Sequence, residues 1–556
     1  MRTPGTGVLL VAAAAALGSG STAVSQPART SPGAASLRGI DLEHSTIPEL
    51  QVAMDAGRIS SLQLTLFYLG RISWLDRDLN AVIVTSPTAL LEALLSDLRR
   101  HFHGSRGPMD GIPVLLKDNV DTRIMATTAG SEALLGARHP RDAFLVRRLR
   151  AAGAVVLGKA NLSEWANFRS FLSSSGWSAV GGQTHNPYVL DRNPCGSSSG
   201  SGVAISANLA TVAIGTETDG SIVCPAGANG IVGIKPTLGL VSRSGVVPIS
   251  AEQDTAGPMA RSVTDAAVLL SVIAAIDPDD PATGESSGHS APDYTPFLDP
   301  DALAGARIGV WKDVTGGGSP ETDAVFEEFI TALRDAGAEP VEVSLPFQDI
   351  INENEFPALL NEFKHDINAY LDATPGDHPD DLAGLIAFNL EHADTELEFF
   401  GQEIFDLAET FNGSLDDPDY QAQRTAATDA ARRSIDETMA AFDLDAIAAP
   451  TNSPAWLTTL GEGDAFVFGS SGPAAVAGYP NISVPMGFVG ELPVGVSLFG
   501  GRWDEPNLIA LAFAYEQATH ARRPPRFLPT LPDGGGPAAA TAASAESVSR
   551  GSTRVW

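Results

Sequence analysis

The chain has 556 residues, 44% of them hydrophobic, and its 67 acidic and 35 basic side chains give a formal net charge of −32. This length and apolar content are sufficient for a large buried core. The acidic excess argues against a nucleic-acid-binding protein, because phosphate contacts depend on clustered lysine and arginine.

The first 25 residues have the pattern of a signal peptide. Arg2 precedes an apolar run at residues 8–17, and residues 23–25 are small enough for a cleavage site. The apolar run is shorter than the roughly 20 residues that span a bilayer, and no later segment has the pattern of a membrane span. We therefore expect a secreted or periplasmic protein with a linker at residues 26–40. A mis-started N-terminus is the alternative, because this region carries little positive charge.

Residues 45–99 place apolar side chains at helical spacing and predict three helices that form a packing layer. Residues 110–119 then predict a turn and a strand that ends at Lys117. Since side chains alternate along a strand, Asp118 is expected to point to the opposite face.

The next segment alternates helix and strand. Residues 142–152 predict an amphipathic helix and residues 154–158 a buried strand, which is typical of an α/β sheet. Lys159 follows that strand and is a rival to Lys117 as a catalytic base. The loop at residues 168–193 is long for a compact domain, and loops of this kind are usually functional.

Two turns rich in glycine and serine lie within residues 195–237. The first, residues 196–202, alternates serine with glycine, and the second, residues 216–221, follows the apolar run 210–214. Glycine lets the backbone approach a substrate closely, and a serine on a tight turn projects its hydroxyl beside converging N–H groups. That arrangement is the geometry of a nucleophile at an oxyanion hole. A flexible linker would not alternate with apolar residues in this way.

Together these segments resemble the amidase signature family of serine amidohydrolases. The resemblance covers most of residues 40–525 and rests on four strings: GIPVLLKDN at 111–119, GSSSGSG at 196–202, TETDGS at 216–221 and GIVGIKPT at 230–237. It implies an α/β fold, with one large domain at residues 41–528 built on a mixed β-sheet core covered by helices on both faces. A variable helical insertion is expected at about 304–442.

The resemblance also implies a catalytic triad. Ser221 would be the nucleophile, Ser197 would follow a cis peptide bond and relay a proton, and Lys117 would be the base. A serine hydroxyl needs a base within hydrogen-bond reach at neutral pH. Lysine acts as that base only after losing a proton, which burial favours. Lys159 lies outside the matching motif, so Lys117 is preferred.

The second turn would bind the oxyanion through the backbone N–H groups of Thr218, Asp219, Gly220 and Ser221. In the family, the segment corresponding to the long loop forms a wall of the acyl pocket, and this makes Ser174 a candidate for substrate contact.

Two residues of the second turn differ from the usual family pattern. Glu217 stands where most of the family has aspartate, and Asp219 stands where glycine is common. This form of the turn is similar to the branch that contains bacterial peptide amidases, which remove ammonia from C-terminally amidated peptides. A side chain at position 219 alters the usual shape of the pocket.

We therefore expect an amidase that converts linear carboxamides to carboxylate and ammonia through an acyl-enzyme, with C-terminal peptide amides as the leading substrate. It would need no cofactor and no obligatory protein partner. The histidines form no HExxH motif and no zinc spacing, so no metal is expected. The alternatives are a broad-specificity aliphatic or aryl amidase, an A-type amidotransferase component that acts on charged tRNA, and a secreted binding protein with an inactive amidase fold.

Cys195 and Cys224 are the only cysteines, and each flanks one of the two turns. Two cysteines cannot form a disulfide framework. We expect them to be small buried residues rather than a functional thiol or a disulfide.

In the insertion, five apolar side chains repeat at helical spacing and favour core packing over a lid or peptide groove: Phe356, Leu359, Leu360, Phe363 and Tyr370. Residues 446–451 and two segments bounded by proline and glycine then predict a return to the sheet. A helix at residues 505–517 closes the fold. The tail at residues 529–556 is rich in Gly, Ala, Ser and Thr and is expected to be disordered.

Overall fold

A computed structural model describes residues 35–532. The predicted signal peptide, most of the predicted linker and most of the predicted tail therefore lie outside the described residues. A short hairpin of residues 36–37 and 40–41 begins the described chain, so regular structure starts within the segment predicted to be a linker. Between residues 35 and 532, no helix has both the length and the apolar content to cross a membrane.

The strands have these bounds: β1 Ser36–Leu37, β2 Ile40–Asp41, β3 Val82–Thr85, β4 Pro113–Lys117, β5 Gly136–Ala137, β6 Val155–Ala160, β7 Trp177–Ser178, β8 Gly182–Gln183, β9 Val212–Glu217, β10 Val232–Lys235, β11 Thr255–Ala260, β12 Arg307–Trp311, β13 Glu339–Val343, β14 Gly376–Asp377, β15 Ala446–Pro450, β16 Asn481–Val489 and β17 Leu492–Phe499.

The α-helices have these bounds: α1 Ile47–Asp55, α2 Ser61–Leu79, α3 Ala89–His103, α4 Phe144–Ala151, α5 Ser199–Ser206, α6 Val223–Ala228, α7 Val263–Ile273, α8 Pro320–Asp335, α9 Gln348–Ala373, α10 Leu382–Glu391, α11 Ala393–Glu396, α12 Glu403–Glu409, α13 Pro418–Phe442, α14 Gly472–Ala477 and α15 Glu505–Thr519.

One eleven-stranded sheet forms the centre of the molecule, in the order β13-β12-β15-β17-β16-β10-β11-β9-β4-β6-β3. The sheet is mixed: β4 runs parallel to β6 and β9, whereas β9 is antiparallel to β11. Helices flank this sheet, which confirms the predicted α/β fold with a mixed core. The strands β4, β6 and β9 are buried along their whole length, as parallel strands covered on both faces should be.

The three helices predicted before the lysine strand are present as α1, α2 and α3. Helix α2 begins at a capping box, in which the Ser60 hydroxyl accepts from the Gln63 amide at 3.2 Å. The sequence did not predict β3, which has only four residues and forms the edge of the sheet beside β6. A strand that short has too few side chains for its alternation to be recognised.

Helices α9 and α13 belong to the predicted insertion and pack together with α10 and α12. Leu359, Leu360 and Phe363 are buried in a hydrophobic cluster there, and Phe356 and Tyr370 pack against it. The prediction that these five side chains form core is therefore confirmed.

Candidate active site

The two parallel strands β4 and β9 bring the site together. Their register pairs Val114 with Val212 and Leu116 with Ile214, so both strands end at the same edge of the sheet. Lys117 is the last residue of β4, and the second Gly/Ser turn begins where β9 ends. Carboxyl ends of neighbouring parallel strands are a common place for ligand sites.

Lys117 is fully buried and bound by hydroxyls and one carbonyl. Its Nζ donates to Ser197 Oγ at 2.7 Å, to Thr216 Oγ1 at 2.9 Å and to the Thr216 carbonyl at 3.2 Å. Asn119 also donates to Thr216 Oγ1, at 2.9 Å. The structure therefore brings together the lysine and the first serine that the sequence singled out, across 80 residues of chain.

Burial lowers the pKa of Lys117 from its usual 10.5 to about 7, although the carboxyl groups of Asp254 and Glu217 oppose this shift. Desolvation disfavours the charged ammonium more than these carboxyl groups favour it. At neutral pH a large fraction of Lys117 is consequently an uncharged amine, which can accept a proton from Ser197.

The peptide bond between Gly196 and Ser197 is cis, as the family resemblance implies. An added Cβ at position 196 would lie 2.2 Å from Ser163 Oγ, so a larger residue there would require the Ser163 side chain to move. Immediately after the cis bond, the Ser198 amide donates to the Ser221 carbonyl at 3.1 Å. This contact joins the turn of Ser197 to the turn of Ser221. Both serines are buried, with exposures of 0% and 5%.

The second turn is held from two sides. Glu217 accepts hydrogen bonds from the amides of Ile222 at 2.7 Å and Val223 at 3.0 Å, and the Thr218 hydroxyl donates to Asp254. Gly220 has a φ of +77°, a conformation that favours glycine.

The amides proposed to bind the oxyanion lie in this same turn. Among the described residues, no backbone carbonyl is recorded as accepting from the amides of Asp219 and Ser221. The oxyanion role of Thr218, Asp219 and Gly220 stays a prediction.

Lys159 is buried on β6 but faces different partners from Lys117. Its Nζ contacts Asp118 Oδ1 at 2.8 Å and Thr127 Oγ1 at 3.1 Å. Asp118 thus points away from the side chain of Lys117, as strand alternation predicts. The structure places Lys159 in a buried ion pair, whereas Lys117 is hydrogen-bonded to Ser197 and Thr216 of the two turns.

The expectation for the cysteines is wrong. Cys195 and Cys224 form a disulfide, with Cα atoms 6.0 Å apart. Cys195 precedes the cis peptide bond, and Cys224 lies at the start of the helix after the second turn. The two turns pack against each other, so residues separated by 29 positions come within bonding distance. Sequence spacing alone did not reveal that contact.

Ser174 lies in the long loop and is buried. Its hydroxyl donates to Gln183 Oε1 at 3.2 Å, and Gln183 donates in turn to the Ser175 carbonyl at 2.9 Å. The neighbouring Gly176 amide donates to Ser163 Oγ at 2.9 Å. The loop therefore lies beside the Gly196 turn, while substrate contact by Ser174 stays a prediction.

A polar network that the sequence did not predict connects the insertion to the second turn. Gln253 donates to the Thr218 carbonyl at 3.1 Å and to Glu355 Oε1 at 2.7 Å. Arg424 donates to Gln253 at 3.0 Å and to Glu362 at 2.6 Å. No local motif marks this network, because Gln253 lies 102 positions from Glu355 and 171 from Arg424.

Within residues 35–532, no cluster of His, Cys, Asp and Glu could hold a metal ion.

The chain is similar to known amidases over most of its length. The family model described as Amidase matches residues 63–509. A protein of Arabidopsis thaliana described as a probable amidase is 42% identical over 499 residues, covering 88% of this chain and 92% of its own. The A component of the glutamyl-tRNA(Gln) amidotransferase of Halorhodospira halophila is 37% identical, covering 87% and 100%. The crystal structure of a peptide amidase from Stenotrophomonas maltophilia is 52% identical with a TM-score of 0.82, covering 87% of this chain and 99% of its own.

Proposed function

The chain belongs to the amidase signature family, and on this premise we propose that it hydrolyses C-terminal peptide amides to the free carboxylate and ammonia. Amide hydrolysis is the activity common to its amidase relatives. The chemistry rests on one observation: the 2.7 Å contact between Ser197 Oγ and a lysine whose pKa burial has lowered to about 7. The substrate class rests on the 52% identity to a peptide amidase.

In the proposed first step, Ser221 Oγ attacks the carbonyl carbon of the substrate. Its proton passes to Ser197, which passes its own proton to Lys117. The negative charge that develops on the carbonyl oxygen is stabilised by backbone N–H groups of residues 218–221. Because these donors belong to a turn anchored by Glu217, they need little rearrangement during the reaction.

In the second step, the carbon–nitrogen bond breaks and the leaving nitrogen takes a proton from Ser197, which is reprotonated by Lys117. Ammonia departs and leaves an ester on Ser221. Water then attacks this acyl-enzyme, with the same relay accepting its proton, and the carboxylic acid is released as Ser221 regains its proton. The sum is one amide and one water converted to one acid and one ammonia.

The test is ammonia release from a C-terminally amidated dipeptide, a simple aliphatic amide, an aryl amide and free glutamine. We expect preference for the dipeptide amide and loss of activity in Ser221→Ala. Ser201→Ala is the matched control, since its hydroxyl donates to the Ile214 carbonyl and not to the triad. Equal activity of Ser221→Ala and wild type would refute the nucleophile, and activity on the simple amides alone would favour a broad-specificity amidase.

An amidotransferase component is the second candidate, and the 37% identity to the corresponding protein of Halorhodospira halophila favours it. Such a protein would release ammonia from glutamine in preference to peptide amides, so the same substrate panel separates the two.

We also propose that the protein works in an oxidising compartment, outside the cytoplasm. The disulfide between Cys195 and Cys224 supports this, because disulfides persist mainly in secreted and periplasmic proteins. Cell fractionation with thiol labelling tests it: the expected result is an oxidised pair in the extracytoplasmic fraction. A reduced pair in the cytoplasmic fraction would contradict it.

A further inference from the structure

Two buried carboxyl groups from different parts of the chain lie at the second turn, where Gln253 donates to the Thr218 carbonyl at 3.1 Å and to Glu355 Oε1 at 2.7 Å. Asp219 lies two residues before Ser221, and its side chain is 7% exposed. Glu355 lies on α9, within the helical insertion, and is 6% exposed. Burial raises the pKa of Asp219, and Glu355 raises it further. Both effects favour the neutral form of the Asp219 carboxyl group.

The two carboxyl groups differ in how they are satisfied. Glu355 Oε1 accepts a hydrogen bond from Gln253 at 2.7 Å. Asp219 Oδ1 is buried and has no hydrogen-bond partner among the described residues. Ser471 is the side chain that hydrogen-bonds the Asp219 carboxyl. Asp219 thus retains one free acceptor oxygen within two residues of the proposed nucleophile.

Basic residues do not account for this free oxygen. Lys235 is the basic group that lowers the pKa of Asp219. It lowers this pKa by less than burial and Glu355 raise it. The ammonium of Lys235 donates to the Pro236 carbonyl at 3.2 Å. A buried acceptor without a donor is costly in a folded protein. An N–H group of a bound substrate would satisfy it.

We propose that Asp219 Oδ1 accepts a hydrogen bond from the N–H that lies next to the scissile carboxamide on the acyl side of the substrate. Asp219 is then a specificity-determining residue. The substrate class it selects is aminoacyl and peptidyl amides, in which a nitrogen is bonded to the carbon bearing the carboxamide. This inference rests on the proposed amidase function and deepens it.

The position of Asp219 explains why this N–H is the group selected. The backbone amides of its own turn face the carbonyl oxygen in the proposed reaction, and Ser197 serves the leaving nitrogen. The remaining polar group near the carbonyl of a peptide amide is the N–H one carbon away. A site that hydrogen-bonds such a group rejects analogues that lack it, because its buried acceptor is then left unpaired.

The test compares kcat/KM for three amides with the same side chain: N-acetylphenylalaninamide, its N-methyl derivative without the N–H, and 3-phenylpropanamide, which lacks the nitrogen. All three keep the carboxamide. We expect wild type to prefer the first over the other two by about tenfold or more. Asp219→Ala should reduce that preference to about threefold or less. Asp219→Asn, which keeps a neutral acceptor, should retain part of it.

The ratio between substrates separates recognition from general damage. A purely structural defect in Asp219→Ala would lower kcat/KM for all three amides and leave the ratio unchanged, which would overturn the inference. A wild-type ratio near one would also overturn it, and this measurement requires no variant to fold. Absence of ammonia from every amide would instead refute the proposed function itself.

Discussion

Two buried lysines on neighbouring strands face opposite surroundings. Lys117 ends β4 among hydroxyl groups, whereas Lys159 on β6 contacts the carboxylate of Asp118 at 2.8 Å. Both are completely buried. Of these two lysines, Lys159 has a carboxylate bonded directly to its Nζ, whereas Lys117 is bonded to hydroxyl groups and a carbonyl. The two positions should therefore respond differently to the same substitution.

The largest effect is expected at Lys117. Lys117→Met keeps an apolar stem of similar length but removes the proton acceptor, so kcat should fall by about 10³-fold or more. Thermal stability should change little, because the variant no longer buries an amine. Steady-state kinetics and a thermal melt on the same preparation test both statements. Retained activity in a folded Lys117→Met would show that the relay does not need this lysine.

At Lys159 we expect a loss of stability rather than a loss of activity. Lys159→Met leaves the Asp118 carboxylate buried without its cation, and breaking a buried ion pair in this way costs about 3–5 kcal/mol of unfolding free energy. The kcat of the molecules that remain folded should stay close to wild type. Urea unfolding measures the loss, and Lys159→Met combined with Asp118→Asn should recover part of it. A loss of kcat equal to that of Lys117→Met would abolish the distinction between the two lysines.

The disulfide extends the comparison of the two lysines, because it links the two Gly/Ser turns that contact Lys117. Replacing both Cys195 and Cys224 with serine should lower the unfolding free energy by about 2–4 kcal/mol, since the link restrains the unfolded chain. Reducing the wild type should have the same effect and should not change the double variant. Equal urea midpoints for oxidised wild type and the double variant would contradict this expectation.

The smallest effect is the pH dependence of the Lys117 site. Its pKa of about 7 means that kcat/KM should fall about tenfold per pH unit below 7 and level off above it, because only the neutral amine accepts a proton. Between about 7 and the usual 10.5, the unfolded state binds a proton that the native state does not, so this group makes stability rise with pH. Lys159→Met should keep the same profile. A flat rate between about pH 5 and 8 would exclude Lys117 as the titrating base.

Much of the site could be predicted from local sequence. The strand ending at Lys117 and the turn of Ser221 lie in short motifs, and the family resemblance of these motifs implied the cis bond before Ser197. The apolar spacing around Leu359 and Phe363 likewise predicted core packing. Each of these predictions depends on residues that are neighbours in the chain or that repeat at a regular spacing. Such patterns can be recognised in a single amino-acid sequence.

Other features depend on residues that are distant in sequence. The bond between Cys195 and Cys224 required two turns to pack together, and the hydrogen bonds of Gln253 to the Thr218 carbonyl and to Glu355 required an inserted helix to pack near the second turn. Neither follows from spacing or composition.

By itself, the sequence determined which segments form the sheet, where its catalytic motifs lie and what family they belong to, because motif residues and hydrophobic periodicity are local properties. Only the tertiary structure decided which groups bond to each buried lysine and which side chains of the insertion reach the second turn. Those outcomes depend on the distances between side chains from separate segments. Burial strengthens the consequences of these distances, which are a shifted pKa, an ion pair or an acceptor without a hydrogen-bond partner.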